Sequence, residues 1–188
     1  MMRQAVVLLS GGIDSLVCAE RERAAGTLRG CVFVDYGHPA QVPEGWKAFA
    51  YCGERGVDLR VVHAFGLALG DMQAHAGARI VPGRNAVLIA LAANQAHAMG
   101  GTHLVVGAIA DDQRDYEDCR PAFFAGVAVA VGMPVDHPLI GMAKVDVVRM
   151  AATLGLRQSD AWSCYGAGPA PCGVCPSCEL AGRAWQRV

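Results

Sequence analysis

The chain has 188 residues, 53% of them hydrophobic, and 16 Lys and Arg against 17 Asp and Glu give a formal net charge of −1. That length holds one α/β domain with a small appendage, and the apolar content suffices for a sizeable core. The near-neutral charge gives no bulk affinity for nucleic acid, and no apolar run reaches the about 18 residues of a membrane span. Met1-Met2-Arg3-Gln4 is followed by a run too short for a secretory signal, so a cytoplasmic chain without membrane contact is expected.

Residues 4–9 contain Ala-Val-Val-Leu-Leu and predict a short buried strand. Leu9-Ser10-Gly11-Gly12-Ile13-Asp14-Ser15 follows, a glycine turn running into a helix that begins at Ile13 and continues through Leu16, Val17, Cys18, Ala19 and Glu20. Gly11 and Gly12 let the backbone turn tightly and come close to a ligand. The free N–H groups and dipole of the helix start then point at an anion held in the turn. Ser10 and Ser15 add hydroxyl donors. Asp14 would repel a phosphate, and it fits either as a helix cap or as a group that helps hold Mg²⁺ beside a nucleotide. The turn is neither a Walker A loop, since no Gly-Lys-Ser/Thr follows, nor a dinucleotide fingerprint.

A second strand is predicted over 29–35, a helix over 40–55 weakened at its start by Pro43 and Gly45, and a third strand over 58–63. Residues 84–99 predict a strong helix, with Leu88, Leu91, Ala92 and Gln95 at helical spacing and Gly100-Gly101 as its stop. Next come a strand over 103–107, a helix over 116–131, a short strand over 135–139 and a helix over 143–154. This alternation predicts a Rossmann-like α/β fold, a parallel five-stranded sheet with helices on both faces. Ligands bind such sheets at the carboxyl ends of the strands, which gathers residues 10–15, 35–38, 107–112 and Leu139 around one crevice.

Three clusters flank that crevice. Arg84 and Asn85 open the long helix, with Asn85 as a cap and Arg84 solvated, or with Arg84 contacting phosphate or carboxylate. The charged run from Asp111 to Arg120 is either a solvated loop or part of the site. In the second case Asp118 would accept the paired N–H donors of a purine-like base. Lys144 is either an ordinary surface charge or a neutraliser of charge developing on transferred phosphate. His63, His75, His97 and His103 read as structural, and Cys18, Cys31 and Cys52 as core thiols. Cys119 lies within the charged run and is not assigned.

Cys164, Cys172, Cys175 and Cys178 stand in a Cys-x7-Cys-x2-Cys-x2-Cys pattern among Pro169, Pro171, Gly173 and Pro176. Four thiolates at this spacing suit a closed, structural tetrahedral Zn²⁺ site on a knuckle rather than a helix. An iron–sulfur cluster and disulfides are the competing readings, the latter disfavoured by the expected compartment. The chain thus divides into 1–160 and a metal-binding segment 161–188 packed on it.

Taken together, these motifs resemble the QueC family of PP-loop ATP pyrophosphatases. The resemblance rests on Ser10-Gly11-Gly12-x-Asp14-Ser15, Asp35-Tyr36-Gly37, Val81-Pro82-Gly83-Arg84-Asn85, Tyr116-x-Asp118-Cys119-Arg120, Pro138-Leu139 with Lys144, and Trp162-Ser163-Cys164-Tyr165 leading into the cysteines. It implies an adenine nucleotide alpha hydrolase-like fold and an AMP-forming C–N ligase of queuosine biosynthesis. Its substrates would be Mg²⁺-ATP, 7-carboxy-7-deazaguanine and ammonia, and its product the nitrile preQ0. It also implies ATP bound by Leu9 to Ala19 and chemistry served by Ser10, Asp14, Ser15 and Lys144. Tyr36, Arg84, Asn85, Tyr116, Asp118, Cys119 and Arg120 would bind the deazaguanine, and the chain would form a homodimer. The sequence departs from the family pattern at Leu16-Val17, at His38-Pro39-Ala40-Gln41, in the short stretch 65–80 and in its short tail. A trimmed rim would admit a larger amine, so the alternatives are a relative that stops at an amide with another molecule or protein, as in a modification or defence system, and a zinc-stabilised nucleotide-binding module without turnover. A tRNA-thiolating or other PP-loop enzyme is disfavoured by the neutral charge and by the lack of an RNA-binding domain.

Overall fold

The computed structural model describes residues 2–64, 66 and 81–188, so His75 and all but Gly66 of the stretch 65–80 fall outside it. Five strands, β1 (Ala5–Leu8), β2 (Leu28–Asp35), β3 (Leu59–His63), β4 (His103–Val105) and β5 (Val135–Asp136), form one sheet in the order β3-β2-β1-β4-β5. Every pairing is parallel. The helices are α1 (Ile13–Ala24), α2 (Gln41–Arg55), α3 (Arg84–Ala98), α4 (Asp112–Asp115), α5 (Pro121–Val131), α6 (Lys144–Thr153) and α7 (Pro176–Trp185). The α/β class and the parallel sheet expected from the sequence are what the chain forms.

Side chains of successive strand residues go to opposite faces, and here both faces are apolar because helices cover both. Ala5, Val7, Cys31 and Phe33 pack with Leu16 and Val17 of α1, Ala48 and Tyr51 of α2, and Val147 and Ala151 of α6. Val6, Val32, Val34 and Leu104 pack with Ile89, Ala92 and Ala96 of α3 and Phe124 of α5. The chain runs outward from β1 to β3, then crosses back to β4 on the other side of β1. The order therefore reverses between β1 and β4, where a crevice opens at the strands' carboxyl ends. Gly107 lets α1 seat there, because a Cβ on it would stand 2.8 Å from the Ser15 nitrogen.

Two expected elements differ. The helix expected over 116–131 forms only as α5, preceded by a 3-10 turn at Glu117–Cys119, while α4 lies ahead of it. Pro121 causes the break. It has no N–H to give to a preceding turn, it forces Arg120 into extended backbone (φ −92°, ψ 150°), and it suits the first turn of a new helix. The cysteine segment, expected to avoid helix, ends in one. Pro176 starts α7, so Cys178 lies in its first turn and Cys175 caps it, with Cys175 Sγ accepting from the Cys178 N–H at 3.4 Å.

Buried Glu20 ties α1 to α2. It accepts from the Tyr51 hydroxyl (2.9 Å), Arg55 Nε (3.0 Å) and Arg23 Nη2 (2.6 Å). Burial pushes its carboxyl up, but the Arg23 and Tyr51 hydrogen bonds outweigh that and hold it below the ordinary range. Glu20→Ala is expected to cost about 2 kcal/mol, with the half-exposed arginines discounted, which for a chain of this size lowers Tm by roughly 4–8 °C in a circular-dichroism melt near neutral pH. A depressed carboxyl stabilises above its unfolded value and loses that contribution as pH falls through its folded value, so the gap between variant and parent closes below about pH 4.

Candidate active site

The turn after β1 is held by its own serines. Ser15 Oγ donates to the Gly12 carbonyl (2.9 Å) and accepts from the Ser10 N–H (3.1 Å), and the two hydroxyls lie 3.1 Å apart. Gly11 adopts φ +78°, and a Cβ on it would collide with the Glu44 carbonyl. Gly12 is the helix N-cap and receives no side-chain cap, so the first N–H groups of α1 stay free for a ligand.

Asp14 therefore does not cap. Both its oxygens accept from Lys144 Nζ, at 2.6 and 2.8 Å, and Lys144 is only 8% exposed, which removes the surface-charge reading. Lys144 opens α6, where its own N–H donates to Asp111 (2.7 Å). Asp112 accepts from the Ile109 N–H at 3.1 Å. Burial, reinforced by the Asp14 charge, pushes the Asp112 carboxyl up to about 6.

A cavity of about 320 Å³ opens beside this group, within the usual range for small-ligand sites. Ser10, Asp14, Ser15, Asp112, Tyr36, His38, Glu44, Arg84 and Asn85 are among the residues that line it. Tyr116, Cys119 and Tyr165 also line it. Of the ATP residues expected from the sequence, Leu9, Ser10, Asp14 and Ser15 reach the cavity, while Leu16, Val17, Cys18 and Ala19 are fully buried in the core. Asn85 does not cap α3, whose N-cap is Gly83; it donates to the Asp118 carbonyl (3.3 Å) and to Cys119 Sγ (3.6 Å). The Asp118 and Arg120 side chains are not among the lining groups, and Arg120 Nη1 lies 3.6 Å from Glu117. Cys18, Cys31 and Cys52 are core thiols as read from the sequence.

Glu44 and Tyr165 were not legible as site residues. Glu44 sits in the first turn of the helix after β2, where extending the strand-end rule by one turn finds it. Tyr165 follows Cys164, so its place in the sequence points to the cysteine cluster rather than to the crevice. Glu44 bonds His38 Nε2 at 2.8 Å, and burial raises its carboxyl against that bond. Burial likewise raises Tyr36, opposed by Arg84.

The sulfurs of Cys164, Cys172, Cys175 and Cys178 lie within 4.8 Å of one another. Tetrahedral zinc needs S···S separations near 3.8 Å, so the donors fit one ion. Backbone N–H groups already point at them. Gly166 and Cys172 donate to Cys164 Sγ (3.3 and 3.4 Å), and Cys175 donates to Cys172 Sγ (3.4 Å). The N–H groups of Val174 and Cys175 draw the Cys172 thiol down to about 6. Trp162 packs with Cys164, Cys178 and Ala40, and its backbone N–H donates to the Gly11 carbonyl at 3.0 Å. The cysteine centre thus braces the glycine turn.

The sequence profile described as "Queuosine biosynthesis protein QueC" matches residues 68–188. A 7-cyano-7-deazaguanine synthase of Koribacter versatilis is 36% identical over 97% of this chain and 89% of its own. One from Thermoplasma acidophilum is 31% identical over 95% of this chain and 85% of its own. Among solved structures, NMN synthetase from Francisella tularensis superposes with a TM-score of 0.59 at 14% identity, covering 98% of this chain and 84% of that one, a likeness of fold.

Because the binding energy of a structural metal is folding energy, Cys175→Ala is expected to lower bound metal and melting temperature together, read by elemental analysis and a thermal melt. Full stability without metal would contradict this.

Proposed function

The chain belongs to the QueC family, and we propose that it is an ATP-dependent ligase converting 7-carboxy-7-deazaguanine and ammonia to 7-cyano-7-deazaguanine, with release of AMP and pyrophosphate. One observation carries the reading: the anion-ready start of α1, with the Asp14–Lys144 pair behind it, opens into the same cavity as Tyr36, Arg84 and Asn85. A triphosphate and an acid substrate can therefore share one enclosure.

A carboxylate is a poor electrophile, and transfer of AMP to its oxygen supplies a leaving group. In this reading the free N–H groups of α1 and the hydroxyls of Ser10 and Ser15 receive the phosphates. Lys144 offsets the charge that gathers on the departing pyrophosphate. Asp14 would help to hold the Mg²⁺ that comes with the nucleotide. Arg84 and Asn85 meet the deazaguanine with Tyr36, Tyr116 and Cys119. Asp118 and Arg120 act at one remove, Asp118 through the carbonyl that holds Asn85. Cys164, Cys172, Cys175 and Cys178 would hold a zinc ion, which would fix the segment of Trp162 and through it the turn. Ammonia displaces AMP to give the amide. A second ATP activates the amide oxygen, whose loss with AMP leaves the nitrile.

The direct test incubates purified protein with 7-carboxy-7-deazaguanine, Mg²⁺-ATP and ammonium, with products read by mass spectrometry. Nitrile with AMP is expected. Amide that accumulates without nitrile would replace the second step with release of the amide, and absence of AMP would overturn the reading. Asp14→Asn is expected to slow AMP release on the order of 10²-fold. It should also lower the melting temperature, because it leaves the buried Lys144 ammonium without its carboxylate. Unchanged AMP release would contradict the role given to Asp14.

A further inference from the structure

Helix α2 carries two apolar stripes, and the core uses one of them. Ala48, Tyr51 and Cys52 are buried against the sheet. Val42, Trp46 and Phe49, at i, i+4 and i+7, share another face and are 58%, 67% and 64% exposed. Beside them runs β3, the outermost strand of the sheet, with Val61 at its centre 50% exposed. Gly45 keeps the space between helix and strand open, because a Cβ there would stand 3.4 Å from the Phe33 ring. The result is an apolar groove of about 580 Å³ lined by Val42, Trp46, Phe49, Leu59 and Val61. The Trp46 and Phe49 rings meet edge to face, 6.3 Å between centroids. None of the four exposed side chains lines the reaction cavity. An apolar patch beside an edge strand is a template for another chain.

We propose that a second copy of this chain packs on this face, about a two-fold axis that sets the two β3 strands antiparallel. The area fits. Two aromatics about two-thirds exposed and two valines about half exposed present on the order of 400 Å² of apolar surface. One side of a standard interface buries about 800 Å², of which somewhat more than half is apolar. The charges fit as well. Asp58 and Arg60 lie 4.0 Å apart at the start of β3, and Asp35 of β2 and His63 lie 3.2 Å apart at its end. An antiparallel pairing brings start against end, so each acid meets an end that also holds a base. A two-fold sets the patch against itself and covers both edges, which leaves a third copy no edge to join. The pairing stands apart from the ligase reading, and it gives the homodimer expected from the sequence its face.

The test is sedimentation velocity of the full chain over a range of concentrations. A dimer is expected, with no larger species. Trp46→Glu and Phe49→Glu each place a carboxylate in the patch, and each is expected to raise the dimer dissociation constant by about 30-fold or more. Both positions are exposed, so the circular-dichroism spectrum should be kept, and either variant suffices if the other fails to fold. Val129→Glu, on the outer side of α5 and 84% exposed, is the control and should leave the dimer unchanged. The backbone amides of residues 59–63 should exchange with deuterium more slowly as the dimer forms, since strand pairing covers the outer edge. A chain that stays monomeric throughout would overturn the proposal, and a hydrophobic dye bound by that monomer but not by Trp46→Glu would then assign the face to a different partner. A dimer indifferent to both α2 variants, one dissociated by Val129→Glu, or one that leaves the exchange of β3 unchanged would overturn it equally.

Discussion

The Asp14–Lys144 ion pair is the interaction on which the site's geometry turns. It joins the first turn of α1 to the first residue of α6, across the point where strand order reverses between β1 and β4. A buried pair of this kind contributes little net stability, since desolvation offsets much of its attraction. Its consequence is positional. It holds an ammonium and a carboxylate beside a helix start whose N–H groups are free, ready for a ligand that carries negative charge and a cation. Asp111 fixes the Lys144 backbone, and Gly107 lets α1 approach closely enough for the pair to form.

Around that pair the two ends of the chain meet. The turn at Gly11 is held from below by Ser10 and Ser15, and from the side by Trp162, whose neighbours Cys164 and Cys178 belong to the four-cysteine centre. The left-handed Gly11 also packs where any side chain would strike the carbonyl of Glu44, the residue that orients His38. The four cysteines, the glycine turn and the side of the cavity that carries Glu44 are thus linked by direct contacts. This gives a physical reason for a site built on two strand ends to be tied to a cysteine cluster that lies far from it in sequence.

What could be read from the sequence follows the range of the interactions. The strands, the glycine turn and the cysteine spacing are local patterns, and they appear in the fold. The break at Pro121 and the helix start at Pro176 were also locally encoded, since proline favours the first turn of a helix; the apolar periodicity masked the first and the density of turn residues the second. Asp14 and Lys144 stand 130 positions apart, so no local pattern joins them, and the sequence left Asp14 between a cap and a metal ligand. The His38–Glu44 pair spans a loop whose course depends on how α2 docks on β2. That docking is set by the core, and the pair was invisible before the fold was known.

The most direct test of this account is a crystal structure of the protein with Mg²⁺ and a non-hydrolysable ATP analogue. The account predicts phosphate oxygens against the backbone of residues 10–15, Lys144 Nζ turned from Asp14 toward them, and the nucleotide entering the cavity lined by Tyr36 and Arg84. A triphosphate bound elsewhere, or one bound with the Asp14–Lys144 pair intact and the α1 N–H groups unoccupied, would contradict it.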